Sequence, residues 1–237
     1  MKRYTYLFFL SICISLNAQT TSKNEAQEAD STFLCELTGE TYVEFRGYNG
    51  SQYFNDDWAE SNILTSTGEM LYGKKLKYNG LLDEVIWLNT DIPRSYKLDR
   101  ALINDIWFQN IQDKPIHFKR IMIDEPNKSH KSDIFAEVAV EGKISLYIQR
   151  KISVLNIQTI KKEGKLYPYK TIGGTPVYFI KLSSDKYFSM SRLNRSSLCK
   201  LFPNKKKDIV KLQKQNQINL NTESGLCEMI DSLNKEI

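Results

Sequence analysis

The sequence predicts an α+β protein: a mainly antiparallel β meander, folded as a curved sheet or a partly open barrel, with two or three helices at its C-terminus. Three observations predict this class. Apolar residues recur with period two from Phe33 to about Ser191, and turn signals divide this region into strands about 8–12 residues apart. Beyond Ser191 the apolar period becomes helical.

The first eighteen residues, MKRYTYLFFLSICISLNA, have the features of a secretory signal peptide. Lys2 and Arg3 precede an apolar run from Tyr6 to Leu16, and Ala18 is a small residue at the expected cleavage point. A membrane span needs about twenty apolar residues, and neither this run nor a later stretch reaches that length. We therefore expect an exported protein that is periplasmic or associated with the outer membrane, with no transmembrane span in the mature chain.

Residues 19–32, QTTSKNEAQEADST, contain no large apolar side chain and predict a flexible tail. Within this tail, Asp30-Ser31-Thr32 resembles the O-glycosylation signal of exported Bacteroidota proteins, which makes Ser31 a candidate glycosylation site. Residues 33–237 then form one β-rich domain, whose part from about residue 192 is helical.

Segments with period two follow one another along the middle of the chain. The expected elements are a strand in TYVEFRG, a hairpin in KLKYNGLLDEVIWL, a strand in PIHFKRIMID with a bulge between Arg120 and Ile121, and strand pairs around Glu141-Gly142 and around residues 183–185.

The group Tyr78-Asn79-Gly80 predicts a turn, because Asn-Gly is the strongest short-range hairpin signal. A four-residue loop, 79–82, sets Tyr78 opposite Asp83 and Leu76 opposite Val85, a register with favourable cross-strand pairs. The side chains expected on the core face are Leu76, Tyr78, Val85 and Trp87. A similar group, Tyr48-Asn49-Gly50, occurs earlier in the chain.

The C-terminal region predicts helices that close one end or edge of the sheet. SSLCKLF forms a short helix that Pro203 ends, and Asn204 can cap a second helix in KKKDIVKLQKQNQ. The last helix has Asn221 or Thr222 as its cap.

Cys35, Cys199 and Cys227 remain once the leader is removed, and this odd number allows at most one internal disulfide. Cys199 and Cys227 lie in two of the predicted helices and are the candidate pair. The alternative is that all three are small buried apolar residues.

Basic residues are concentrated in one part of the chain. Residues 161–214 contain fourteen Lys or Arg and three Asp or Glu, whereas residues 19–160 contain sixteen and twenty-one. Such a region suits an acidic protein, an acidic glycan or anionic lipid headgroups, and allows peripheral membrane association. Nucleic acid is disfavoured because export removes it as a target. The candidate partner-binding lysines are Lys205, Lys206, Lys207 and Lys211.

The alternative to a basic binding region is a set of solvated faces with a mobile loop at KKEGKLYPYKTIGG.

No catalytic constellation is recognisable, so we expect a protein that is not an enzyme and carries no cofactor or metal. The histidines are His117, in a strand pattern, and His130, in a loop; no serine lies in a G-x-S-x-G elbow. The acidic pairs 56–57 and 83–84 lie near tryptophans, as in glycosidases, but neighbouring strand residues point to opposite faces, so neither pair forms a catalytic dyad by itself.

Two other functions stay open beside a basic binding region. A carbohydrate-binding or carbohydrate-active protein would use Tyr48, Trp58, Tyr78 and Trp87 as a platform in one groove. An assembly subunit would pair a sheet edge with a larger outer-membrane machine.

The motifs GSQYFNDDW, LKYNGLLDEVIWL, EGKISLYIQR and SSLCKLFPNKKKDI, after a leader ending in LNAQ, resemble a group of uncharacterised exported proteins of Bacteroidota. The resemblance covers most of residues 47–215. It implies a Gram-negative cell envelope and a β-rich fold, but it supplies no activity and no catalytic residues. The function expected from all these features is non-catalytic binding of another envelope component.

Overall fold

The computed structural model describes residues 37–44, 47–111, 113–124, 131–182, 186–190 and 192–235. The chain divides into two units, Met1–Leu37 and Thr38–Ile237. The predicted signal peptide and tail lie outside the described residues, as do Ser31, Cys35 and His130.

Fourteen strands occur within the described residues. Their bounds are Gly39–Thr41 (β1), Tyr48–Asn49 (β2), Ala59–Thr65 (β3), Met70–Asn79 (β4), Glu84–Asn89 (β5), Arg94–Leu98 (β6), Ile103–Ile111 (β7), Lys114–Ile123 (β8), Ser132–Val140 (β9), Ser145–Gln149 (β10), Ile152–Lys162 (β11), Lys165–Gly174 (β12), Val177–Lys181 (β13) and Tyr187–Met190 (β14). Three α-helices follow, Arg195–Leu201 (α1), Lys206–Gln215 (α2) and Glu223–Lys235 (α3).

Eleven strands form one sheet in the order β1-β6-β5-β4-β3-β7-β8-β9-β10-β13-β14, and each pair in it is antiparallel. The order has β1 and β14 at its two edges, so the sheet is not closed. A smaller sheet has the order β11-β12-β2. The predicted class, a mainly antiparallel meander followed by C-terminal helices, is confirmed.

The large sheet is strongly curled. The β4–β5 turn contains Asp83, whose carboxylate accepts a hydrogen bond from the backbone N–H of Phe135 in β9. Three strands, β3, β7 and β8, lie between β4 and β9 in the sheet order, so only a curled sheet brings these residues together. The inner face buries Tyr78 and Phe118, whose ring centroids are 4.9 Å apart.

The helices cover the other end of the sheet and create a second part of the core. Leu146, Ile148 and Ile180 of the sheet pack with buried residues of all three helices, including Leu198, Ile209 and Ile230. In the part of the chain that the structure describes, no helix is both long and apolar enough to cross a membrane.

One of the predicted helix caps is confirmed and one is wrong. The Thr222 hydroxyl accepts a hydrogen bond from the N–H of Gly225 at the start of α3. Asn204 does not cap α2, because a 3-10 turn, Pro203–Lys205, leads directly into that helix from Lys205.

Three strand details differ from the predictions. In TYVEFRG, only Thr41 lies in a strand, β1, among the residues of this segment that the structure describes. Tyr78 pairs with Val85 and Leu76 with Trp87, so β5 is shifted by two residues, although all four side chains still share one face. The bulge predicted between Arg120 and Ile121 is wrong, because β8 pairs with β9 in continuous register there. Phe118 is buried on one face and Ile121 on the other, and this change of face broke the apolar alternation in the sequence.

Candidate functional site

A long hairpin, called the arm below, consists of β11, β12 and the turn between them (residues 152–174). The strands pair antiparallel from Ile152–Gly174 to Lys162–Lys165, with a register shift around Leu155. Glu163 and Gly164, the two turn residues, have φ values of 51° and 78°. Two positive φ values in a two-residue loop indicate a type I′ turn, which suits the twist of a hairpin.

Apolar side chains are exposed along the arm. Ile157 and Leu166 are 62% and 70% exposed, and Leu155 is 58% exposed. Further exposed apolar or aromatic side chains of the arm are Val154, Ile160, Tyr167 and Tyr169. Isolated two-stranded hairpins are marginally stable in water, and large exposed apolar surfaces usually mark interaction sites. The arm is therefore the strongest candidate for a binding site.

Two glycines allow the body of the protein to hold the base of the arm. A Cβ on Gly80 would lie closer than 3.0 Å to the Arg150 carbonyl oxygen, and a Cβ on Gly50 would lie equally close to that of Ile172. The carbonyl of Gly80 also accepts a hydrogen bond of 2.9 Å from the N–H of Ile152. Both Tyr-Asn-Gly groups of the sequence thus place a glycine at the base of the arm. Gly80 lies at the start of β11, and Gly50 lies against Ile172 of β12.

Asn79 holds the first of these contacts in place. Its side-chain oxygen accepts hydrogen bonds from the N–H groups of Leu81 and Leu82, and its amide nitrogen donates to Gln52 at 3.0 Å. These bonds make Asn79 the last residue of β4 and explain why the loop begins at Gly80.

The second group reaches the arm through strand pairing. Tyr48 and Asn49 of β2 pair in parallel with Lys170 and Thr171 of β12. Because this pairing covers only two residues, the outer edge of β12 towards the tip is left without a neighbouring strand among the described residues.

Arg150, directly before the arm, lies in a network of charges. Its Nε donates to Glu137 at 2.5 Å, and its two terminal nitrogens donate to the two oxygens of Glu223 at 2.8 Å each. The guanidinium also lies over the Phe54 ring, 5.3 Å from its centroid. Burial acts to lower the pKa of Arg150, but the bonds to Glu223 and Glu137 outweigh it and raise the pKa overall. The network joins the arm's base to β9 and to α3.

Two open cavities lie beside the base of the arm, with volumes of about 430 and 400 Å³. Both are lined by Tyr53 and Ile172; the first also contains Tyr48, and the second contains Gly173 and Pro176. Desolvation by partial burial and a hydrogen bond with Tyr42 raise the pKa of Tyr53, so its hydroxyl stays protonated at neutral pH.

The four predicted platform rings are not brought together in one groove. Tyr78 is buried, and Trp87 shares its face of the sheet. The Trp58 ring holds the ammonium group of Lys77 at 4.9 Å, and Lys77 follows Leu76 in β4, so it points to the opposite face. Tyr48 belongs to the smaller sheet.

Asp83 forms a structural clasp at the curled end of the sheet. It accepts a hydrogen bond of 2.6 Å from the Tyr78 hydroxyl and forms an ion pair of 2.7 Å with Arg100. Burial raises the pKa of Asp83, and burial also raises the pKa of Tyr78. A neighbouring cavity of about 540 Å³ contains Asp83, Glu84 and Lys97. Asp56 lines a different cavity, so the two acidic pairs do not combine there.

The predicted lysine group lies on the helices. Lys206, Lys207 and Lys211 are exposed and Lys205 is half-buried. On α2, Lys207 and Lys211 lie opposite the buried residues Ile209 and Leu212, as on an ordinary solvated face of an amphipathic helix.

His117 is part of a small polar cluster. Its Nε2 is 2.7 Å from the Asp105 carboxylate, and its ring stacks on Trp107 with centroids 4.7 Å apart. Asp105 also pairs with Lys119 at 3.8 Å. Over the described residues, no group of three or more His, Cys, Asp or Glu is placed to hold a metal ion.

Cys199 and Cys227 are free thiols, so the candidate disulfide between them is not formed in the structure. Desolvation by burial, followed by the charge of Glu223, raises the pKa of Cys227 to about 11. Both side chains pack against the core between the sheet and the helices, in line with the alternative of small apolar packing residues.

Sequence reasoning missed the arm and treated KKEGKLYPYKTIGG as a mobile loop. Glu163-Gly164 was the available signal, since Gly in the second position of a two-residue turn favours a hairpin. The period-two pattern on either side was obscured because both faces carry apolar and polar residues.

No protein-family model, curated protein or solved structure that was compared with the chain matches it.

Proposed function

We propose that this protein is an exported, non-catalytic binding protein of the cell envelope, and that it attaches to another envelope component through the arm. The leader-like N-terminus and the resemblance to exported proteins support export. The main observation that supports a binding site on the arm is the exposure of apolar side chains along both of its strands.

The base of the arm supports the same proposal. A passive surface loop would not require two glycines against its backbone or an ion network at its root. Gly50 and Gly80 approach the backbone of the arm closely, and Arg150 joins its root to β9 and α3. A held root lets the arm project as a defined element over about 35 Å, given the 11 residues of β11 and a rise of about 3.3 Å per residue.

A shortened arm tests the proposal. Replacing residues 158–169 with Asn-Gly joins Ile157 to Lys170, which are cross-strand partners, and keeps the pairing with β2. The full chain and the shortened variant are purified from the cells that express them and are mixed with isolated cell envelopes. The full chain should co-sediment with the envelopes, and the shortened variant should stay in solution. Circular dichroism and thermal unfolding of both proteins establish that the body still folds.

A charge-reversal variant of α2, Lys207→Glu with Lys211→Glu, is the matched control and should sediment like the full chain. Loss of sedimentation in this control, together with unchanged sedimentation of the shortened variant, would place binding on α2 and overturn the assignment to the arm. Failure of the full chain to sediment at all would overturn the proposed function.

A further inference from the structure

The two faces of the arm differ in composition. On one face, Ile160 lies opposite Tyr167 and Gln158 lies opposite Tyr169. This is called the tyrosine face. The other face carries Ile157 opposite Lys170, and Leu166 opposite Lys161. Lys162 and Lys165 are the next pair on the tyrosine face, so each face combines exposed apolar side chains with lysine.

Positive charge is concentrated at the tip of the arm. Lys161, Lys162 and Lys165 surround the turn and are all exposed, and Glu163 is the one acidic residue of the arm. Lys162 and Lys165 are direct cross-strand partners, so their ammonium groups lie on the same face. Like charges directly opposite destabilise a hairpin, and a bound anion would remove that repulsion. The tip therefore fits an anionic partner.

The partner must also bury apolar surface. An acidic glycan would neutralise the lysines but would leave Ile160 of the tyrosine face in water. A phospholipid interface offers phosphate and acyl chain within about 5–10 Å of depth, over an area larger than the arm. Tyrosine side chains favour this depth, because the ring is apolar and the hydroxyl stays hydrated.

From these features we infer that the arm is a peripheral membrane anchor, which lies along an anionic phospholipid surface with its tyrosine face against the lipid. This inference rests on the proposed function and names the envelope component that the arm binds.

The backbone limits how deeply the arm enters. The outer edge of β11 has no neighbouring strand among the described residues, and unpaired backbone groups cannot enter the hydrocarbon. Three tip lysines also oppose insertion tip first. Both limits are met when the arm lies flat at headgroup depth. Water and headgroups then bind the free edge, and Lys162 and Lys165 of the tyrosine face reach the phosphates.

Vesicles of defined composition test the inference. The full chain should co-sediment with vesicles of equal parts phosphatidylcholine and phosphatidylglycerol at low salt, and it should stay in solution with phosphatidylcholine alone or at high salt. The variant Lys162→Gln/Lys165→Gln, which changes the two tip lysines of the tyrosine face, should bind the anionic vesicles about 25-fold more weakly, at roughly fivefold per lysine. A loss of less than threefold for this variant would overturn the role of the tip.

A pair of reporters tests the orientation. Tyr167→Trp places an indole on the tyrosine face, and Leu166→Trp places one on the opposite face, one residue away. On binding, the emission of the Tyr167→Trp protein should shift to the blue relative to the unsubstituted chain, and that of Leu166→Trp should not. A shift in Leu166→Trp alone, or in both variants, would overturn the flat arrangement.

The two proposals fail in different ways. Arm-dependent sedimentation with cell envelopes but none with anionic vesicles would overturn the lipid inference and retain the proposed function, and it would point to a protein or glycan. Sedimentation with neither would overturn both.

Discussion

Arg150 should be the most sensitive charged residue at the base of the arm. The change Arg150→Met keeps the length and apolar part of the side chain and removes the guanidinium from Glu137 and Glu223. The side chains of Arg150 and Glu137 are 17% and 15% exposed, whereas that of Glu223 is 35% exposed. The variant leaves two neighbouring carboxylates partly buried without a cation.

Removing one partner of a buried ion pair typically costs about 3–5 kcal/mol. Because Glu223 is partly solvated, we expect the lower end, a loss of about 3 kcal/mol in the free energy of unfolding. At about 2–4 °C per kcal/mol for a domain of this size, the thermal midpoint should fall by about 6–12 °C. Urea unfolding followed by circular dichroism measures the first quantity and a thermal scan the second.

Two further variants separate the network from a general effect of the substitution. Arg94→Met, at an exposed arginine, should change the free energy of unfolding by about 0.5 kcal/mol or less. Adding Glu137→Gln and Glu223→Gln to Arg150→Met should recover part of the loss, because no buried charge is left unpaired. A loss below 1 kcal/mol for Arg150→Met, or no recovery in the triple variant, would refute the reasoning.

Two other predictions concern the glycine contact and the acidic clasp. Gly80→Ala should lower the free energy of unfolding by about 1–3 kcal/mol, because its Cβ meets the Arg150 carbonyl, whereas Gly174→Ala, where a Cβ meets nothing within 4 Å, should be nearly neutral. Equal losses in the free energy of unfolding for the two variants, measured with urea, would contradict this. Asp83 has a pKa raised above its ordinary 3.8, so the folded state binds its proton more tightly than the unfolded state does and stability rises as pH falls through that window. As the pH is lowered from 7 towards 4, the free energy of unfolding of the wild type, measured with urea, should therefore rise relative to that of Asp83→Asn. A difference between the two proteins that stays constant or changes in the opposite direction would contradict the raised pKa.

The hairpin in KLKYNGLLDEVIWL shows how much of the structure a local sequence pattern can predict. The sequence correctly placed Leu76, Tyr78, Val85 and Trp87 on one face, because side chains alternate along any strand. The register was wrong by two residues, which preserves that alternation. Contacts outside the hairpin fix the observed register. Asn79 forms a hydrogen bond with Gln52, and Asp83 points inward and binds Tyr78 and Arg100.

The candidate binding residues show what a local sequence pattern cannot predict. Lys205, Lys206, Lys207 and Lys211 stood out as a run of like charges, yet exposed charge on a helix is common and indicates no site by itself. The arm has the same number of lysines, four, but it also has exposed apolar side chains and a root that is held by the body of the protein. Neither of these can be read from residue order, because both depend on what packs against the segment.

The sequence by itself determined the antiparallel class, the shared face of the apolar side chains in the β4–β5 hairpin and the helical C-terminal part, since these follow from periodicity and turn chemistry between near neighbours. Only the tertiary structure decided that the sheet curls until the β4–β5 turn reaches β9, and that the two Tyr-Asn-Gly groups meet the base of one projecting hairpin. Such contacts join residues far apart in the chain, and local pattern carries no information about which distant surfaces will exclude water together.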